Sequence, residues 1–367
     1  MDRKTALAKL SHLTPLFILL LAWVAAAAHA SPAPDSFDSA QSAMPASPVS
    51  EVDAALDNSA NPPDAQVLEA WRKAMLKVAL PKRTGCFIAS HPRTEWMEVS
   101  CGTPPPVPVV PAHGPGPATV GNGNDFSAQV SNLLVSAWGT FPTVTGLASE
   151  SDSQMGSGWF TVQLNTNTFV TPACNGGGPS CRGWQQFVYS QSPNGNWLSG
   201  IYMQYWLLSY NTTCPSGWNT YNPGGGQTDC WMNSSGTPWY GGIGWLAKVQ
   251  VMGTASSGDV DKAYVFTGNR NIGATAWDSV LDLSNGWREA EYNVFGYCCG
   301  SEAIFNSGTT FVVQINTYYG LLPYHWNPAP ATCTSAGFTG ETNNLSIVGS
   351  CSVLTGANPG IQFTESH

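Results

Sequence analysis

Ile201-Tyr202-Met203-Gln204-Tyr205-Trp206-Leu207-Leu208 is a run of aromatic and aliphatic residues interrupted by a single amide. In an extended strand successive side chains point to opposite faces, so Gln204 shares a face with Tyr202, Trp206 and Leu208. Segments of the same character recur at 159–165, 184–190, 245–252, 262–267, 289–295 and 310–318. Between them lie turn-rich stretches such as Asn175-Gly176-Gly177-Gly178 and Pro223-Gly224-Gly225-Gly226. Many short strands punctuated by Gly, Asn and Pro predict an all-β domain, a sandwich or a barrel, over residues 119–367. Phe160-Thr161-Val162-Gln163-Leu164-Asn165 and Phe311-Val312-Val313-Gln314-Ile315-Asn316 read as two similar strands rather than as a repeat.

The N-terminal third has a different composition. Arg3, Lys4 and Lys9 precede an apolar run that ends at Ala28-His29-Ala30, the pattern of a signal peptide over residues 1–30. Residues 31–63 are rich in Ala, Ser, Pro and Asp and are expected to be disordered. Asp64 is placed to cap a helix whose apolar residues Val67, Leu68, Trp71, Met75 and Val78 recur at helical spacing up to Leu80, with Pro81 as the stop. A strand pair over 85–101 completes a small helix-plus-hairpin module, residues 64–101, which is a candidate propeptide. Residues 102–118 carry seven prolines and are expected to form an extended, exposed linker.

The ten cysteines are Cys86, Cys101, Cys174, Cys181, Cys214, Cys230, Cys298, Cys299, Cys333 and Cys351. An even number in an exported chain implies disulfides and a secreted, periplasmic or extracellular location. The simplest pairing is local: Cys86–Cys101, Cys174–Cys181, Cys214–Cys230 and Cys333–Cys351, with Cys298-Cys299 as a vicinal bridge or pairing elsewhere. No C-x-x-C pair, H-E-x-x-H, P-loop or G-x-S-x-G motif occurs, so no metal or cofactor is expected. Net charge is −9 and only Arg182, Lys248, Lys262, Arg270 and Arg288 are basic after Phe126, which argues against nucleic acid as a partner. No later stretch is apolar enough for stable membrane insertion.

In Trp287-Arg288-Glu289-Ala290-Glu291-Tyr292-Asn293-Val294-Phe295, alternation places Glu289, Glu291, Asn293 and Phe295 on one face. A polar group flanked by aromatics on a sheet face has the make-up of a substrate cleft, and also of an ordinary solvated face. Trp184-Gln185-Gln186-Phe187-Val188-Tyr189, then Tyr202-Met203-Gln204, and later Ala290-Glu291-Tyr292-Asn293-Val294 resemble the eqolisin glutamic peptidases. That resemblance implies a double-sheet, concanavalin-like β-sandwich with an apposed Gln and Glu. These map onto Gln204, as oxyanion stabiliser, and Glu291, as general base and acid. Tyr202, Trp206, Glu289, Asn293 and Phe295 would then line a site for polypeptide substrates. The family places a small residue after the Gln, where this chain has Tyr205, and Gln186 is the alternative. The layout is also similar to that of the neprosin-type glutamic peptidases, which use two Glu. Against that, the chain has no Asp or Glu between Asp152 and Asp229. From a different class, a carbohydrate-binding or cell-surface module would use Trp184, Trp197, Trp206, Trp218, Trp231, Trp239 and Trp245 to stack on sugar rings.

The basic, apolar, A-x-A order predicts that the exported protein starts at Ser31. N-terminal sequencing of secreted material should read from Ser31; a start within the apolar run would remove the export reading.

Overall fold

A computed structural model describes residues 64–112, 120–121, 124–211, 213–319 and 327–367. The signal peptide and the segment 31–63 lie outside the described residues, as does the linker from 113 to 118. Two large antiparallel sheets form a β-sandwich. The first, in spatial order, contains β2 (Met97–Val99), β1 (Gly85–Ser90), β15 (Arg270–Trp277), β14 (Val260–Phe266), β13 (Gln250–Thr254), β4 (Ser136–Thr145), β18 (Thr310–Tyr318), β22 (Gly360–Ser366) and β21 (Ser346–Leu354). The second contains β10 (Asn219–Gly224), β11 (Gln227–Asn233), β9 (Gly200–Leu208), β8 (Arg182–Gln191), β7 (Phe160–Thr166), β16 (Glu289–Phe295), β3 (Phe126–Val130) and β19 (Ala331–Ser335), with β12 (Thr237–Pro238) also paired to β9. A small sheet of β20 (Thr342–Asn343), β17 (Glu302–Phe305), β5 (Glu150–Asp152) and β6 (Gly156–Ser157) closes one end.

The main core lies between the two large sheets. From the second sheet it takes the face with Leu164, Phe187, Met203, Tyr205, Tyr292 and Val294, all buried. Close approach of the sheets depends on glycines in the first. A Cβ on Gly139 would come within 2.0 Å of the Tyr292 ring, and one on Gly253 within 2.3 Å of Phe187. The aromatic rings of one sheet therefore rest on bare backbone of the other.

The N-terminal module is built into the sandwich. Asp64 caps α1 (Ala65–Met75) by accepting from the Gln66 N–H, as its sequence position suggests. The helix ends at Met75, short of Leu80. Leu80 leaves the helix to pack over Gly273 in the first sheet, so tertiary burial outweighs continued helical periodicity. Trp71 and Met75 pack on Ala89. The 85–101 segment is the expected strand pair, and β1 also pairs with β15 over six residues, extending the first sheet.

Four disulfides form with the local pairing: Cys86–Cys101, Cys174–Cys181, Cys214–Cys230 and Cys333–Cys351. Cys333–Cys351 joins β19 to β21 and so links the edges of the two sheets. Cys298 and Cys299 are free, so neither the expected vicinal bridge nor a pairing elsewhere forms; their sulfurs lie 2.6 Å apart, with Cys299 in the left-handed region at φ 63°.

Gly253→Val would force a branched side chain into the space of the Phe187 ring. Overpacking of this kind costs about 2 kcal/mol or more, a fall in Tm of about 5 °C for a domain of this size. Thermal unfolding followed by circular dichroism tests this, and an unchanged Tm would contradict the close sheet contact.

Candidate functional site

The outer face of the second sheet is polar along one line. Strand register places Asn233 opposite Gln204, Gln204 opposite Gln186, Gln186 opposite Asn165, Asn165 opposite Glu291, and Glu291 opposite Ser127. A row of amides thus runs across the strands and ends at a carboxyl group. Gln204, Gln186, Asn165 and Glu291 are completely buried. The face expected for Tyr202, Trp206, Glu289, Asn293 and Phe295 is the one they occupy, beside this row.

The proline-rich segment covers the Asn233–Gln204 end of the row, and the loop at Gly337 and Phe338 covers Glu291. Pro104, Pro105, Val109, Val110 and Pro111 are buried, so the expected exposed linker is instead a strap laid over the cleft. The Asn233 side chain donates to the Pro105 carbonyl at 3.1 Å. Gln204 Oε1 accepts from the Val109 N–H at 2.7 Å, and its Nε2 reaches the Val107 carbonyl at 3.5 Å. Farther along, Glu341 Oε1 accepts from the Val110 N–H at 3.0 Å, the Gly340 N–H donates to the Val110 carbonyl, and the Ala112 N–H donates to the Phe338 carbonyl. Gly337, next to Phe338, donates its N–H to Glu291 Oε1 at 3.1 Å. The strap therefore crosses the strands, from β11 towards β16, in the direction of Glu291. Apolar side chains leave the polar row free for backbone contacts. Val110 packs with Trp184, Trp206 and Trp231, Val109 with Val188 and Tyr202, and Val107 beside Trp159 and Tyr297.

Gln204 and Glu291 share a face and a row but are not neighbours. Three strand steps of about 4.8 Å separate them by about 14 Å, with Gln186 and Asn165 between. The amide in contact with Glu291 is Asn165, whose Nδ2 donates to Glu291 Oε2 at 2.9 Å. Asn165 Oδ1 is buried without a hydrogen-bond partner. Gln186 is two steps from Glu291. Its Oε1 accepts from Trp206 Nε1 and its amide donates to Gln163. Asn293 is already committed, donating to both Asp125 and Glu365. Glu289 accepts from the Ser127 hydroxyl. Phe295 lies against Gly121.

Sequence reading missed Asn165, Glu341 and the strap. The signal for the strap was its three valines: an exposed polyproline spacer has no use for Val107, Val109 and Val110. Glu341 stands in Gly-Phe-Thr-Gly-Glu, a loop with no basic residue to pair it. Of the tryptophans expected to stack on sugars, Trp184 and Trp206 are completely buried, and the large exposed hydrophobics include Trp277 but none of the seven.

Burial dominates the electrostatics. It raises the Glu291 carboxyl to about 7, against the opposing hydrogen bonds from Asn165, Phe338 and Gly337 and with a smaller contribution from the Glu289 charge. Burial likewise raises Glu341 to about 7, against its bonds from Thr339, Gly300 and Val110. Glu365 is raised by burial to about 8, and Glu150 to about 9 by burial together with the charge of Asp152. With the cleft closed, Glu291 thus keeps its proton in acid. Among the described residues no group of three or more His, Cys, Asp or Glu is placed to hold a metal ion, and no helix is long and apolar enough to cross a membrane. No protein-family model matches the chain, and no curated protein sequence matches it.

These carboxyls bind protons more tightly folded than unfolded. Stability is therefore greatest in acid and falls as pH rises from about 4.5, the unfolded value, through the folded values of about 7 to 9. A carboxyl whose pKa rises by one on folding binds its proton about 1.4 kcal/mol more tightly in the folded chain. The Tm at pH 5 should exceed that at pH 9 by about 5 °C or more. Calorimetry across this range would show the opposite slope if the acids were ionised in the fold.

Proposed function

We propose that the chain is an exported hydrolase of peptide bonds, held closed by its own residues 102–112. The observation that carries this reading is the strap itself: an extended polypeptide, gripped through its backbone, lies along a row of amides that leads to a buried carboxyl–amide pair. A cleft that accepts this segment has the shape and hydrogen-bonding pattern for other extended chains.

Glu291 is the base in this scheme. When the strap leaves and the Gly337–Glu341 loop hydrogen-bonded to it opens, water returns and the carboxyl moves back towards its ordinary range, so that it is ionised in mildly acid solution. Glu291 takes a proton from a water molecule, whose oxygen attacks the peptide carbonyl carbon. Asn165 keeps the carboxylate oriented through Nδ2, and its unpartnered Oδ1 accepts the water's second hydrogen. Gln186, nearer to Glu291 than Gln204 is, supplies an amide N–H to the developing oxyanion. The protonated Glu291 then gives its proton to the leaving amine as the C–N bond breaks. The polypeptide substrate, the exported location and the absence of a cofactor all follow from this reading.

Cutting the chain between residues 112 and 120 leaves the strap attached to β1, which remains paired with β15. Activity therefore requires dissociation as well as cleavage. Full-length protein nicked in this region and held in acid should digest a denatured protein, while intact chain should not. Glu291→Gln should abolish digestion with the circular dichroism spectrum retained. Gln186→Ala should lower turnover about 10²–10³-fold, and Glu289→Gln should have a mild effect. A folded Glu291→Gln protein with full activity would rule out this mechanism.

A further inference from the structure

The Gln204 side chain carries out a different task from the one its resemblance implies. Its Oε1 accepts from the N–H of Val109 and its Nε2 faces the carbonyl of Val107, two residues earlier. These are the groups that a neighbouring strand would engage on an extended chain. Gln204 is itself held in place: Trp206 Nε1 donates to its Oε1 at 3.1 Å, and its Nε2 donates to Asn233 Oδ1 at 2.8 Å. The next grip is on the next residue, where Glu341 accepts from the Val110 N–H and also from Gly300.

We propose that Gln204 and Glu341 form a two-point backbone clamp that sets the register of polypeptides in this cleft, with pockets beside it that select aliphatic side chains. This proposal rests on the reading of the cleft as a polypeptide site and names its ligand class. The ligand is an extended segment with free N–H groups at two consecutive positions, those of Val109 and Val110. The first of these side chains enters a pocket of Val188, Tyr202 and Leu198. The second enters an aromatic box of Trp184, Trp206 and Trp231. A third aliphatic group, two residues before the first, sits beside Trp159 and Tyr297. Positions 108 and 111 are proline and offer no N–H, so the clamp asks for none there. Proline at position 109 or 110 would remove one of the two N–H donors that each acceptor oxygen receives.

Site-resolved amide hydrogen exchange on the full-length chain reads the clamp directly. Gln204→Ala should speed exchange at Val109 about tenfold and leave Val110 nearly unchanged, because Glu341 still holds it. Glu341→Met, which removes the acceptor at similar volume, should reverse the pattern. Equal changes at both amides in both variants would overturn the two-point clamp, since general loosening gives that result. Should Gln204→Ala fail to fold, Gln204→Met keeps the volume without the hydrogen bonds and serves the same comparison.

A second arm measures binding in trans. The full-length Val109→Pro chain, also carrying Glu291→Gln so that nothing is cut, is titrated with a labelled peptide of residues 103–112. The native peptide should bind at least about tenfold more tightly than one with proline in place of Val109, and more tightly than one with Asp in place of Val110. Equal binding of all three peptides would overturn the ligand class. Because this arm needs no turnover, peptide selectivity with no hydrolysis by the nicked protein sinks the hydrolase reading alone. Hydrolysis without selectivity sinks the clamp alone.

Discussion

Burying a polar sheet face requires that every amide and carboxyl on it find a partner, since an unmatched buried group costs about 1–3 kcal/mol. The second sheet is covered on both sides, and one side carries Gln204, Gln186, Gln163, Asn165, Asn293 and Glu291. The core-facing side is largely apolar and so carries few such groups, with Tyr292 Oη and Gln185 Oε1 left unpartnered. The other side meets the condition, except at Asn165 Oδ1, through a chain of bonds in which Trp206 donates to Gln186, Gln186 to Gln163, and Gln163 to Thr161. The strap backbone satisfies Gln204 and Asn233, and the loop from Gly337 to Asn343 satisfies Glu291 and Asn293. The arrangement of the strap and the covering loop answers this need.

The strap is held at several points by interactions of different kinds. Cys101 bridges to Cys86 on β1, which fixes its start to the edge of the first sheet. Three valines fill apolar pockets, while carbonyls and N–H groups between them meet polar side chains. The Pro108 carbonyl accepts from the Cys299 N–H, in a turn that Asp152 secures by accepting from Tyr297 and Ser301. Grip is thus divided between packing that ignores pH and a carboxylate bond, Val110 to Glu341, that weakens when Glu341 takes up a proton. Because burial raises Glu341 to about 7 in the closed cleft, closure favours its neutral form, and acid favours both the fold as a whole and the closed strap even as this one bond loses its charge.

Protonation also connects the closed cleft to the proposed chemistry. The same exclusion of water that hides Glu291 keeps it neutral, the wrong state for a base. Opening the cleft would change access and ionisation together, because both depend on the water that the strap and the Gly337–Asn343 loop displace. The acid cluster behind the row, with Asp125 and Glu365 sharing the Asn293 amide, resists ionisation for the same reason.

Local chemistry made much of this protein legible from its sequence alone. Alternation along 201–208 and 289–295 identified strands and assigned the faces of Gln204 and Glu291, because side-chain direction in a strand has period two whatever the strand pairs with. Short cysteine separations marked the four disulfides, since such residues meet readily within one loop or hairpin. Strand order, by contrast, depends on contacts far apart in the chain. It was strand order that inserted β8 and β7 between β9 and β16, separated Gln204 from Glu291, and brought Asn165 against the carboxyl in its place. Tertiary structure also decided that a proline-rich segment, set apart from a solvated spacer only by its three valines, lies buried in a cleft. Nothing in residues 102–112 specifies the pockets that receive Val107, Val109 and Val110; those are made by residues far along the chain, from Trp159 to Tyr297.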